Sequence, residues 1–126
     1  MANGSQPLYT QRINNYSTNS LGDTVWDYNK KIDGLDPGAV IEWVDKVFRN
    51  NKIPIENYHS DANKGKTAKI FGSLAEILTE ESKNYIWNNN GNLSYEIKCF
   101  RGHLIAKVWS KNKGEVDRLR RLLEPL

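Results

Sequence analysis

YEIKCFRGHLIAKVWSKNKG, residues 95–114, alternates apolar and polar residues on both sides of an Arg-Gly step. A period of two marks a strand with one buried face, and Arg101-Gly102 can serve as the two-residue loop of a β-hairpin. With that loop, Phe100 pairs with His103, Cys99 with Leu104, Ile97 with Ala106 and Tyr95 with Val108. Tyr95, Ile97, Cys99, Leu104, Ala106 and Val108 then share one apolar face. A slip of one residue would send this whole set to the other face, so the residues themselves specify the register. Glu96 faces Lys107 across the hairpin as a favourable cross-strand pair. The opposite face carries Lys98, Phe100, His103, Ile105, Lys107 and Trp109.

Upstream, NYIWN, the turn NNG and NLSYEIKCF continue the alternation. Residues 85–110 therefore read as a three-stranded antiparallel meander with Asn90-Gly91 as its first turn. Tyr85 and Trp87 join Lys98 and Trp109 on the outer face. TVWDY (24–28) is a further short strand, followed by a turn at Asp33-Gly34.

Helical spacing occurs in three places. In DPGAVIEWVDKVFRNN, Asp36 fits an N-cap and Pro37 the first helical position, where its missing N–H costs nothing. Val40, Trp43, Val44, Val47 and Phe48 form the stripe, and Asn50-Asn51 supplies a left-handed ending. KTAKIFGSLAEILTEESK (66–83) places Ile70, Phe71, Leu74, Ile77 and Leu78 on one side of a second helix. In NKGEVDRLRRLLEPL, Asn112 as N-cap and Glu115 three positions on resemble a capping box. Its inner stripe is Val116, Leu119, Leu122 and Leu123, and Pro125 ends it. Residues 1–20, rich in Asn and Ser, read as a loose polar N-terminal arm, and 52–65 as a polar linker. The expected architecture is one compact α+β domain over 21–126, an antiparallel β-meander of 3–4 strands packed with about three amphipathic helices.

The chain has 126 residues and a net charge of +3, but the charge is uneven. Residues 1–63 carry six Lys/Arg against eight Asp/Glu, and residues 64–126 carry twelve against seven. Positive charge gathered in the second half favours a polyanionic or acidic partner. The single cysteine, Cys99, excludes an intramolecular disulfide framework and suits a reducing compartment. No apolar run approaches the ~20 residues of a membrane span, and no basic-then-apolar leader opens the chain. A cytoplasmic protein without a membrane role is the expectation.

Chemical motifs are weak. Gly65-Lys66-Thr67 matches the tail of a phosphate-binding loop, but Ser60 stands where that loop needs its first glycine. Glu96-Ile97-Lys98 on a strand is similar to the Glu-x-Lys half of metal-dependent nuclease sites, whose second carboxylate is missing from the preceding strand, which offers Asn88, Asn89, Asn90 and Asn92. That nuclease is the remaining enzymatic alternative. His59 with Asp61, and the lone His103, fall short of a zinc site. His103 and the inward Cys99 lie on opposite faces, a poor nucleophilic pair. Neither a catalytic residue, a metal nor a cofactor is expected.

The succession of hairpin, IAKVWSKN and amphipathic helix resembles the C-terminal end of messenger-RNA cap-binding initiation factors, through Ile105, Ala106, Trp109, Ser110 and Asn112. The resemblance stops short of that whole fold and carries over no functional residue.

Binding is thus the expected function. The basic C-terminal half, sheet face plus last helix, is expected to hold nucleic acid or a nucleotide-type phosphate ligand. Lys98, Arg101, Lys107, Lys111, Lys113, Arg118 and Arg121 would meet phosphates, and Trp87, Phe100 and Trp109 would stack bases. The competing reading is a non-enzymatic protein–protein interaction module, such as a small viral or mobile-element inhibitor or accessory protein, with an acidic protein as partner. Homo-oligomerisation stays open. The outcome turns on whether a helix covers the outer face of the meander.

Overall fold

The computed structural model describes residues 13–61 and 84–126. Among them the chain runs β1 (Ile13–Thr18), β2 (Thr24–Lys31), α1 (Pro37–Asn50), β3 (Asn57–His59), β4 (Tyr85–Asn90), β5 (Leu93–Phe100), β6 (His103–Ser110) and a last helix, here α2 (Lys113–Leu123). The six strands form one sheet in the order β1-β2-β6-β5-β4-β3, with every neighbouring pair antiparallel. The α+β class expected from the sequence holds. The sheet is larger than the expected meander, and two helices, not three, fall within the described residues. The expected helix over 66–83 and the Gly65-Lys66-Thr67 step lie outside them. No helix among the described residues is long and apolar enough to cross a membrane.

The β5–β6 hairpin forms in the register the sequence specifies, with Phe100 opposite His103 and Glu96 opposite Lys107. Arg101 and Gly102 both take positive φ, 49° and 81°, the primed-turn geometry that follows the strands' right-handed twist. The first hairpin differs. Asn90 pairs with Leu93, so its loop is Gly91-Asn92, with Gly91 at φ 84°. The glycine takes the first loop position, where positive φ costs it least. The resulting slip relative to an Asn90-Gly91 loop is even, and Tyr85 and Trp87 stay on the expected face.

Both helices pack on the other face. Trp26 and Tyr28 of β2, Ile86 of β4, Tyr95, Ile97 and Cys99 of β5, and Leu104, Ala106 and Val108 of β6 are all buried beneath them. Helix α1 begins as expected, the Asp36 carboxylate accepting the Ala39 N–H at 2.8 Å with Pro37 next. It buries Val40, Ile41, Val44 and Phe48, and the Phe48 ring meets Tyr95 edge-on at 5.2 Å. Trp43, read as part of the stripe, is 38% exposed, because the stripe is centred on Ile41 instead. The left-handed residue after the helix is Lys52 (φ 60°), whereas Asn51 stays at negative φ. Helix α2 buries Val116, Leu119 and Leu123 on β6 and β2. Its cap is Asn112, whose side chain accepts the Gly114 N–H at 2.9 Å. Glu115 turns to Arg118 at 3.4 Å, the pairing it makes in place of a capping box.

Two segments read as irregular are strands. Residues 13–18, placed in the loose arm, form the edge strand β1, and residues 57–59 of the polar linker form the opposite edge β3. Residues 1–12 lie outside the described chain. Polar contacts take the place of apolar burial on β1. Trp26 Nε1 donates to Asn14 Oδ1 at 2.6 Å. Tyr16 donates its hydroxyl to Asp117, accepts from Arg120 at 3.1 Å, and lies beneath the Lys113 ammonium at 4.8 Å.

Neighbouring residues on β5 offer a direct check of which face is which. Replacing Ile97 (1% exposed) with Ala should cost about 2–5 kcal/mol of unfolding free energy. Lys98→Ala, on the other face, should cost under about 0.5 kcal/mol. Urea unfolding followed by circular dichroism measures both. Equal losses would contradict this assignment.

Candidate functional site

The face turned away from both helices assembles the candidate residues in transverse rows. One row runs Ser17–Val25–Trp109–Ser94–Asn89, the next Asn15–Asp27–Lys107–Glu96–Trp87–Asn57. A third places Ile105, Lys98 and Tyr85 side by side, and a fourth Lys31, His103 and Phe100. Among the described residues no element covers this face. Trp87, Phe100, Ile105 and Trp109 are half-buried, while Glu96 and Lys107 are exposed. The expected outer face of the meander is therefore one surface, widened by β1, β2 and β3.

At the β5–β6 turn, two cations share one ring. The Lys98 ammonium lies 5.6 Å from the Phe100 ring centroid and the Arg101 guanidinium carbon 5.0 Å. Ring electrons offset part of each cation's charge while leaving its donors open. Among the described residues neither makes an ion pair within 4 Å, and nor does Lys107. His103 beside them is held by the Asn29 carboxamide oxygen, 2.7 Å from Nδ1.

The cations at the end of the chain behave differently. Lys111 bonds Asp23 at 3.5 Å and the Leu21 carbonyl, and Lys113 bonds Asp117 at 3.1 Å. Arg118 is shared between Glu115 and the Asn51 carbonyl. Arg121 is exposed and makes no ion pair among the described residues. Arg118 and Arg121 ride on a helix that packs on the opposite side of the sheet from Lys98 and Trp109. The structure thus divides the expected basic patch. Lys98, Phe100, Arg101, Lys107, Trp109 and Trp87 share one surface; Lys111 and Lys113 lie at the β6–α2 junction, and the two arginines lie behind.

One contributor escaped the sequence. Asp27 stands opposite Lys107 on the side away from Glu96, so a lysine sits between two carboxylates in a single row. Only the pairing of β2 with β6 brings it there. These three residues, with Trp109, Val25 and the end of β1, line a depression of about 390 Å³.

The residues of the weaker chemical motifs can be located as well. Glu96 has Trp87 and Lys107 as its cross-strand neighbours. No group of three His, Cys, Asp or Glu side chains converges among the described residues. Asp61 exchanges hydrogen bonds with the Asn84 carboxamide at 3.0 and 3.2 Å. Cys99 lies on the helix face and His103 on the other. Comparison with protein-family models, with curated proteins and with solved structures finds no match to this chain.

Cys99 provides a test of the layering. It is 4% exposed, and burial, helped by the Asp36 charge, pushes its thiol up to about 12. A thiol nucleophile needs the thiolate, so Ellman's reagent at neutral pH should label the native protein only as fast as it unfolds. Because the folded value lies above that of the unfolded chain (about 8.5), this group's contribution is complete below that pH. It is lost progressively as pH rises toward about 12. Immediate labelling of folded protein would contradict a buried Cys99.

Proposed function

We propose that the open sheet face binds single-stranded nucleic acid and does no chemistry on it. The observation that carries this reading is the meeting of half-buried Trp87, Phe100 and Trp109 with Lys98 and Arg101, cations that no carboxylate pairs with among the described residues, on a face that both helices leave uncovered. Bases stack on aromatic rings whatever their sequence, each such contact being worth about 1–3 kcal/mol, while cations beside the rings hold the backbone. Lys98 and Arg101 meet phosphates; Trp109, Trp87 and Phe100 take bases. The cations of the α2 layer already have internal acceptors, apart from Arg121, and lie outside this surface.

Fluorescence anisotropy with a labelled single-stranded oligonucleotide about ten nucleotides long tests the proposal. Trp109→Ala should weaken binding roughly tenfold while leaving the circular-dichroism spectrum unchanged. For Lys98→Ala, the slope of log affinity against log salt should become shallower by about 0.7, one phosphate contact on a single strand. Affinity that ignores both substitutions sinks this site. An affinity flat in salt points to a protein partner instead.

A further inference from the structure

At its end nearest the β1–β2 hairpin the open face sinks into a depression of about 390 Å³, within the range of small-ligand pockets. Half-buried Trp109 walls it, and Val25, 4% exposed, lines it alongside. Its polar lining includes the Asp27 and Glu96 carboxylates and the Lys107 ammonium. Among the described residues none of these three makes an ion pair within 4 Å. They offer two acceptor groups and one donor group to whatever enters. A phosphate would satisfy Lys107 and meet repulsion from both carboxylates. A cation would satisfy the carboxylates and meet repulsion from Lys107. A purely apolar ring would desolvate all three without a partner. What satisfies the whole set is an uncharged ligand whose neighbouring groups each donate and accept, which is the chemistry of vicinal hydroxyls.

From this lining we infer that the Trp109 depression is a cis-diol subsite that takes the 3′-terminal ribose of an RNA strand; the inference rests on the nucleic-acid reading above. Each hydroxyl has one proton to donate and two lone pairs that accept. The 2′- and 3′-hydroxyls each donate to a carboxylate, while both oxygens accept from the three N–H bonds of Lys107. Because a hydroxyl proton swings about its C–O bond, the match holds whichever order the three side chains take across the depression. A base edge carries its donors and acceptors in a fixed order. An internal ribose has its 3′-oxygen esterified and keeps one hydroxyl, and a deoxyribose end also keeps one. Only a ribose end brings both. With the terminal base on Trp109, the strand leaves through its 5′ side toward Lys98 and Arg101. The Phe100–His103 row lies four residues along β6 from Lys107, ~13 Å of strand that backbone phosphates can span.

One RNA sequence about ten nucleotides long, labelled at its 5′ end and prepared with a ribose diol, a 2′-deoxy, a 3′-deoxy or a 3′-phosphate terminus, tests this. Each form is titrated against the 126-residue chain and against the double variant Asp27→Ala/Glu96→Ala. The parent should bind the diol end roughly tenfold more tightly than either deoxy end, since a lost hydroxyl leaves a charged acceptor unpaired. The 3′-phosphate end should bind it most weakly. In the variant, diol and deoxy ends should differ by less than about twofold. The ratio is the readout, because removing two negative charges strengthens the binding of every RNA form. Equal parent affinities for diol and deoxy ends would overturn the subsite and leave the binding face standing. So would a parent preference for the 3′-phosphate, or a diol preference that survives in the variant. Failure of every oligomer to bind would overturn the face itself, and the subsite with it.

Discussion

The turn at Arg101-Gly102, with φ of 49° and 81°, leaves β5 and β6 a single register. Its Gly102 carbonyl also accepts the Ile32 N–H at 2.9 Å, so the same turn fastens the end of β2. Everything on the sheet inherits its parity from this corner. β6 is central, paired along its whole length with β5 on one side and β2 on the other. Slipping β6 by one residue would exchange Ala106 and Val108 for Lys107 and Trp109 beneath the helices. One desolvated charge and a misplaced core would follow, a cost of several kcal/mol against a total stability of about 5–15.

Parity then determines what each face does. The helix face closes around Trp26, Tyr28, Tyr95, Ile97, Leu104 and Val108, with rings in contact, as in the stacked pair Trp26–Tyr28 at 4.9 Å. The polar atoms drawn inward find local acceptors. The Tyr95 hydroxyl donates to the Pro54 carbonyl at 2.7 Å, and the Ser110 hydroxyl to the Asn92 carbonyl at 2.6 Å. Among the described residues both helices pack on that side, and the other face carries Val25 (4% exposed) beside half-buried Trp87, Phe100 and Trp109.

Local signals were legible and non-local ones were not. The hairpin register, the Asp36 and Asn112 caps and the inner stripe of α2 all depend on residues within one or two turns of each other, and each was readable from the sequence. β1 was hidden because its inward residues Asn14, Tyr16 and Thr18 lack the apolar alternation of a buried strand. Asn14 and Tyr16 are placed by hydrogen bonds to Trp26, Asp117 and Arg120, partners far away in the chain or chemically unadvertised. β3, at three residues, is too short to show a period. The Trp43 reading failed because spacing alone gives a stripe's period, while the docking of α1 over β4 and β5 sets its centre. For the site, Phe100, Lys98, Lys107 and Trp109 were visible on one hairpin, whereas Asp27 entered only through the β2–β6 ladder.

The charge asymmetry of the sequence resolves into two populations with different physics. Lys113, Arg118 and Arg120 make exposed or half-exposed pairs along α2 with Asp117, Glu115 and Glu124, and Lys111 ties the β6 end to Asp23. Lys98, Arg101 and Lys107 contribute no such pair among the described residues. Among the described residues no element covers this face, and the half-buried rings of Trp87, Phe100 and Trp109 stand there beside those cations. The buried helix face carries the core, and the exposed Glu96 and Lys107 on this one lie apart from it. On the proposed reading, binding and stability therefore reside on opposite faces of the sheet. A loss of binding at Trp109 or Lys98 reports on the surface, and a loss of stability at Ile97 or Tyr95 reports on the fold.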